Sequence, residues 1–445
     1  FLHAALISIL AMVVFWQATI GFRWSYALNL GVFALTALVL HGELAASRPA
    51  PLRLTGFYLW MALGGALGGA FTALVVPMIF RSTRDYFLML VIACFLRPSA
   101  RRTITPQQAA IALVPAIFLA VVKRPGIDTS HFLGIQTVLI VSSIAIVGVF
   151  WLRPHASSFG VAIAAIVTGG MLLNPSVGTI FTDRSFFGIY RVMRIAPDVT
   201  ILFHGSTIHG AQFGDSARRL TPITYYHANG PLGDIFRSLQ QSQIDRSVGV
   251  VGLGTGTVLC YSRPQEHWTF FEIDPHVEAI ARNKSLFTYL SDCAVRPRIV
   301  TGDARLTLAR EPAGRYSLLI LDAFSSDAIP VHLLTREAFQ LYEHVLTDDG
   351  VLMVHISNRR LDLEPIVGRV ASDAGFVSLI RNYEAPDKQQ DRDYDYGSDW
   401  VAVARHASDL EPLQKDPRWR ALRFSRAAKA WSDDYSNIIS VIKWK

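Results

Sequence analysis

The chain has 445 residues, 51% of them hydrophobic and only 17% charged, with a formal net charge of +7. That length admits two or more domains, and the apolar excess, confined almost wholly to the part before Pro175, argues against an entirely soluble protein. No Lys/Arg-rich run with interleaved aromatics is present, so nucleic acid is not the expected partner; arginines at membrane edges account for the positive charge.

Apolar stretches of spanning length, roughly 20 residues each, lie near 2–20, 26–40, 56–79, 109–122, 132–151 and 159–173. A shorter one at 86–95 makes seven expected spans. The first lacks a small-residue cleavage site and reads as a span rather than a signal peptide. Gly64, Gly65, Gly68 and Gly69 put small residues on one helix face, a pattern expected to pack closely against another helix in lipid. Ionisable groups such as His41, Arg81, Lys123 and Arg124 fall at span ends, which favours an anchor or scaffold over a pump of charged substrates. Positive residues divide almost equally between the two sets of loops, so they do not settle orientation. The 3 cysteines, Cys94, Cys260 and Cys293, show neither metal spacing nor a disulfide framework and fit a reducing compartment.

After Asn174-Pro175 the character changes. Residues 185–195 and 199–204 alternate loosely and contain β-formers, as hairpin strands do. The segment 221–227 leads through Gly230-Pro231 into a helix starting near Leu232. Next comes a short β-branched run, 248–251, ending in Gly252-Leu-Gly-Thr-Gly256, where the backbone must turn tightly and leave room for a ligand. Strands at 267–274, 298–303 and 316–322 follow, with a helix at 275–286 between the first two. Each ends on an acid: Glu272 and Asp274, then Asp303, then Asp322. Successive parallel strands ending this way line a carboxyl edge, where open α/β sheets bind ligands. A helix at 335–345, a strand at 350–356, a helix at 363–374 and a last strand at 400–404 complete the pattern. Residues 383–399, with Asp387, Asp391, Asp393 and Asp395, read as a solvated loop ahead of a cation-binding lid.

The glycine spacing is not Gly-x-Gly-x-x-Gly, so a dinucleotide is disfavoured. Glu272 can accept both ribose hydroxyls and Asp303 an adenine amino group, which suits an adenosyl sulfonium better than a pyrophosphate. Three clustered carboxylates repel one another unless a cation joins them, and a sulfonium and an amine would each supply one.

Gln212, Tyr226-His227, Gly252 to Gly256, Glu272-Ile-Asp274, Gly302-Asp303 and Asp322 stand in the order and spacing of the spermidine synthases (polyamine aminopropyltransferases), which the chain resembles from about 184 to 376. It is more closely similar to bacterial membrane proteins that fuse a hydrophobic half to a spermidine synthase-like domain, through 54–59, 64–69, 209–212, 230–234, 322–330 and 431–437. The resemblance implies a multi-pass α-helical membrane domain (1–175), then a small β-hairpin domain and linker (176–230), then a Rossmann-like methyltransferase/spermidine synthase fold (231–445). It also implies catalytic roles for Asp322, Tyr226 and Asp327. Donor contacts would come from Gln212, His227, Gly252, Gly254, Thr255, Gly256, Glu272, Asp303 and Ala304. The implied donor is S-adenosylmethionine or its decarboxylated form, with an amine acceptor, no metal, membrane lipid as a partner, and the homodimers usual in that family. The implied place is the bacterial inner membrane, with the C-terminal half in the cytosol because such donors are made there.

The departures from the family pattern bear on substrate. Where typical members have Gly-Gly-Gly-Asp-Gly, this chain has Thr255 in place of the aspartate that grips the aminopropyl ammonium. Ala228 replaces the glutamate of Tyr-His-Glu, and Ser325 falls where the second loop aspartate is expected, with Asp327 two further on. Three readings follow. They are aminopropyl transfer, methyl transfer or lyase cleavage of intact S-adenosylmethionine, and a nucleoside-sensing transporter without catalysis.

Overall fold

The computed structural model describes residues 1–16, 21–98, 105–122, 132–173, 178–196, 198–239, 246–323, 330–386, 393–425 and 429–443. The chain divides into two compact units, Phe1–Val177 and Gly178–Lys445.

The first unit is helical. Helices occupy Leu2–Trp16, Phe22–Ala46, Leu54–Ala70, Arg84–Phe95, Pro106–Val122, Phe132–Trp151 and Ala156–Leu173. Among the described residues, three helical stretches are long and apolar enough to cross a membrane: Arg23–Ala46, Pro51–Ile79 and Ala156–Leu173. The interior gathers where Leu2–Trp16 meets Ala156–Leu173, with Phe15, Phe159 and Ile166 fully buried. At Gly170 an added Cβ would lie 2.6 Å from the Phe15 Cα, so only glycine lets the two backbones approach this closely. The glycines expected to do this behave otherwise: Gly64, Gly65, Gly68 and Gly69 meet nothing within 4 Å. Small residues permit a close approach, but they do not supply the helix that makes it.

The second unit holds two sheets. The first is an antiparallel meander of β1 (Thr179–Ser185), β2 (Gly188–Ala196), β3 (Val199–His204) and β4 (Thr207–Phe213). Four strands thus stand where sequence patterning gave two. The β3–β4 pairing shifts register between Ile201 and Phe203 of β3, opposite Ala211 and Ile208 of β4, and that irregularity breaks the period of two that alternation depends on.

The second sheet comprises β5 (Ser247–Val251), β6 (His267–Glu272), β7 (Arg298–Thr301), β8 (Tyr316–Leu321), β9 (Leu346–His355), β10 (Val377–Tyr383), β11 (Ser398–Ala404) and β12 (Arg420–Ala421). Its order is β12-β10-β11-β9-β8-β5-β6-β7. The five strands from β9 to β7 run parallel, whereas β11 pairs antiparallel with β9. Both faces are covered: Val248, Val250, Leu318 and Ile320 pack into one apolar cluster, Val251, Leu319 and Leu321 into the other. That double burial explains why β5 and β8 read as continuous apolar runs. The result is a Rossmann-like fold whose strand order reverses at β5, between β6 and β8.

Several expectations need correction. The strand that starts at His267 stops at Glu272, and Asp274 instead caps the helix Pro275–Arg282, accepting from the His276 N–H at 2.9 Å. That helix ends at Arg282, short of 286. Strand β10 was not foreseen. Asp395 is fully buried rather than solvated; Asp387 and Asp391 lie outside the described residues. Cys260 and Cys293 form a disulfide with Cα atoms 4.9 Å apart, contrary to the reading of three reduced thiols, while Cys94 is buried and unpaired. A separation of 33 residues carries no pairing signal in one sequence.

Candidate active site

The site starts at the end of β5. Gly252, Gly254 and Gly256 have φ of +98°, +53° and +82°, a region that favours glycine. A Cβ on Gly252 would collide with the Asp322 carbonyl oxygen, so glycine lets the turn pass against the end of β8. No α-helix follows, only a 3-10 turn at Thr257–Tyr261, which leaves no helix dipole for a pyrophosphate.

Three carboxylates converge beside this turn. Glu272 accepts from the Leu253 N–H at 2.9 Å and the Asp274 N–H at 3.0 Å. Burial is the largest influence on its carboxyl and pushes it up to about 7, against the backbone donors. Asp303 caps the helix Ala304–Leu308 through the Leu306 N–H and pairs with His332 Nε2 at 3.1 Å. Asp322 is held by side chains: the Tyr226 hydroxyl donates to Oδ2, and His355 Nδ1 lies 2.7 Å from Oδ1. Burial and the Asp322 charge raise the Tyr226 hydroxyl well above its ordinary value, so it remains a donor.

All three acids line one cavity of about 290 Å³, together with Gly252, Gly254 and Ala304. Its opposite wall comes from the β1–β4 meander, through Phe187, Tyr190, His204 and His209. The meander is tied down at Asp274, which accepts from Tyr190 at 2.7 Å and from Ser185.

Other candidates are placed elsewhere. Gln212 gives its amide to Thr288 Oγ1 at 3.0 Å and the Arg219 carbonyl at 2.9 Å, and accepts from the Thr288 N–H at 2.8 Å. His227 Nδ1 sits 3.2 Å from Asp395. Thr255 is buried with its hydroxyl 2.7 Å from that of Thr257, and Gly256 packs under Leu290. None of these four lines the cavity among the described residues. Tyr226 touches it only through Asp322, and Asp327 lies outside the described residues.

Sequence reasoning missed His332, the aromatic and histidine wall of the meander, and above all His355. The last had a signal, since it ends the strand beside β8 and so shares the carboxyl edge with Asp322. A second, more polar cavity of about 640 Å³ lies on that side, with Tyr225, His355, Ser357, Glu384 and Asp399 in its walls. Among the described residues no group of three or more His, Cys, Asp and Glu is arranged to hold a metal ion.

No protein-family model matches the sequence. A polyamine aminopropyltransferase of Vibrio vulnificus (strain CMCP6) is 35% identical over 111 residues, which are 24% of this chain and 36% of that protein. The chain therefore matches little more than a third of the length of this curated relative. Among solved structures, a probable spermidine synthase from Corynebacterium glutamicum ATCC 13032 aligns with a TM-score of 0.43 and 14% identity, covering 59% of this chain and 98% of that one. Spermidine synthase from Thermotoga maritima aligns with a TM-score of 0.39 and 14% identity, over 56% and 81%. Human methyltransferase-like protein 13 in complex with SAH gives 0.32 and 18%, over 47% and 96%. By sequence, then, a segment of this chain is similar to a member of the spermidine synthase family.

Proposed function

We propose that the chain is a membrane-anchored, spermidine synthase-like transferase that binds an S-adenosylmethionine-type donor and passes its aminopropyl group to an amine, releasing methylthioadenosine. The observation that carries this reading is the single cavity shared by Glu272, Asp303 and Asp322 at the glycine turn. Glu272 would accept from the ribose hydroxyls and Asp303 from the adenine amino group, while the turn backbone packs against the nucleoside. The amine nitrogen attacks the methylene beside the sulfonium; a C–N bond forms, the C–S bond breaks, and the electron pair leaves on a neutral thioether. Asp322 takes the nitrogen's proton, with the Tyr226 hydroxyl holding its Oδ2. Alignment of nitrogen, carbon and sulfur supplies the rest of the rate. The long apolar helices would anchor the catalytic half at the bacterial inner membrane, on the cytosolic side where the donor is made.

A second reading is supported by Thr255, which is buried and bonded to Thr257 where the family's ammonium-gripping aspartate would stand. Without that charge the intact donor is admissible, and the chemistry becomes methyl transfer or lyase cleavage. Product analysis decides. Incubation with each donor and a polyamine panel is expected to yield methylthioadenosine only when an amine is present. Adenosylhomocysteine would instead mark methyl transfer, methylthioadenosine without acceptor a lyase, and failure of both donors to bind would end the proposal.

A further inference from the structure

Asp322 is the end of a chain of polar groups that runs away from the donor cavity. Its Oδ1 meets His355 Nδ1 at 2.7 Å, His355 Nε2 meets Ser357 Oγ at 2.7 Å, and the Asp399 N–H donates to the same Ser357 oxygen at 2.7 Å. His355 and Asp322 are both nearly buried, with side chains 7% and 5% exposed. The imidazole is stacked between Tyr225, at 5.0 Å and 22°, and Trp400, at 4.5 Å and 15°, so its plane is fixed.

The acceptor determines the tautomer. An ionised carboxylate can only accept, so the His355 nitrogen facing Asp322 Oδ1 carries the proton, and Nε2 of the neutral ring accepts from the Ser357 hydroxyl, whose oxygen also receives the Asp399 N–H. Neutral His355 then carries its proton on Nδ1 and donates it to Asp322 Oδ1. With Tyr226 donating to Oδ2, the carboxylate is clamped at both oxygens, and its rotation about the Cβ–Cγ bond is stopped. The lone pair left on Oδ2 is thereby aimed in one direction.

We propose that His355 is a positioning residue for Asp322, and that Ser357 acts through it by donating to Nε2 and so supporting the tautomer whose Nδ1–H faces the carboxylate. The proposal rests on Asp322 being the proton acceptor of the transfer reaction. Neither His355 nor Ser357 touches the donor or changes its own proton count in the step.

The test uses the full chain in detergent. His355→Ala is expected to lower kcat by about 10- to 100-fold with donor affinity within about threefold of the parent, as loss of an orienting partner of a general base does. His355→Asn can place an N–H where Nδ1–H stood and is expected to recover most of that loss; His355→Gln, whose amide reaches toward the Nε2 position, is not. Ser357→Ala is expected to give an intermediate loss. Equal kcat in His355→Ala and the parent would overturn the proposal, as would Asn and Gln variants equally impaired at equal thermal stability.

A second arm needs no turnover. In ¹⁵N-histidine-labelled protein, the signal lost in His355→Asn is expected to show a protonated Nδ1, and Ser357→Ala to shift it. A protonated Nε2 there would refute the inference even if transfer is confirmed. A protonated Nδ1 in a protein that transfers nothing would refute the function while leaving the clamp standing.

Discussion

Glu272 and Asp322 close the two strands that flank β5, yet the protein treats these acids in opposite ways. Glu272 is held by backbone N–H groups alone, in a desolvated position that lifts its carboxyl to about 7. Asp322 is held by two side chains, one phenol and one imidazole. Its backbone donors cannot move without moving the glycine turn or the residues that follow β6, so Glu272 suits recognition of a rigid nucleoside. Side-chain donors held by stacking and burial aim the Asp322 carboxylate without tying it to the turn, so Asp322 suits a position where a proton arrives. On the proposed reading, one strand end binds and the other reacts.

Replacing Asp322 should break that division most severely. Asp322→Asn is expected to cut steady-state methylthioadenosine release by about a thousandfold, the middle of the range for a lost general base. Donor affinity by calorimetry should stay within about threefold. Glu272→Ala should do the reverse: removing charged hydrogen bonds to the ribose costs about 2–3 kcal/mol, or 30- to 150-fold in donor Kd, with kcat at saturation little changed. Equal effects of both substitutions on both quantities would erase the comparison.

The raised Glu272 carboxyl predicts a smaller, titratable effect. On the proposed reading the carboxylate recognises the ribose, so donor affinity is expected to fall as pH drops through about 7 and to hold above it. For folding the sign is opposite. A carboxyl whose folded value is raised contributes stability below its ordinary value of 4.5 and loses it as pH rises through about 7. Melting of donor-free protein at pH 6 and 8, repeated with donor, separates the two. Least affected should be Thr255→Val, expected to alter donor affinity by no more than about threefold, because this side chain bonds Thr257 rather than lining the cavity.

The acid-terminated parallel strands were legible because β5 and β8 are apolar runs and β6 is rich in aromatics, stopped by Gly252, Asp322 and Glu272 respectively, a pattern local in sequence. The placement of Gln212 and His227 outside the cavity lining was not legible. Each is a polar residue in the right order, but order does not say whether a side chain turns toward the cavity or toward a neighbour, and here Thr288 and Asp395 compete for them. The pairing of His355 with Asp322 was missed for a related reason, although its place at the end of the strand beside β8 was a signal. It lies 33 positions from Asp322, and only the parallel register of β8 with β9 makes them partners. In the helical unit the glycine stripe of 64–69 announced a packing capacity, while the close approach used Gly170.

The disulfide between Cys260 and Cys293 has a consequence of its own. It closes a covalent ring that contains β6, and with it Glu272. A ring of that length limits the unfolded chain by about 4 kcal/mol in the loop-entropy account. Reductant should therefore lower the melting temperature and loosen the ribose grip together, leaving the clamp on Asp322 as it was. The same two sulfurs also report the cellular address of the unit Gly178–Lys445. Thiols that resist alkylation in freshly lysed, acid-quenched cells would put it outside the glutathione pool, and the nucleoside would then have to be delivered across the bilayer rather than met at its place of synthesis.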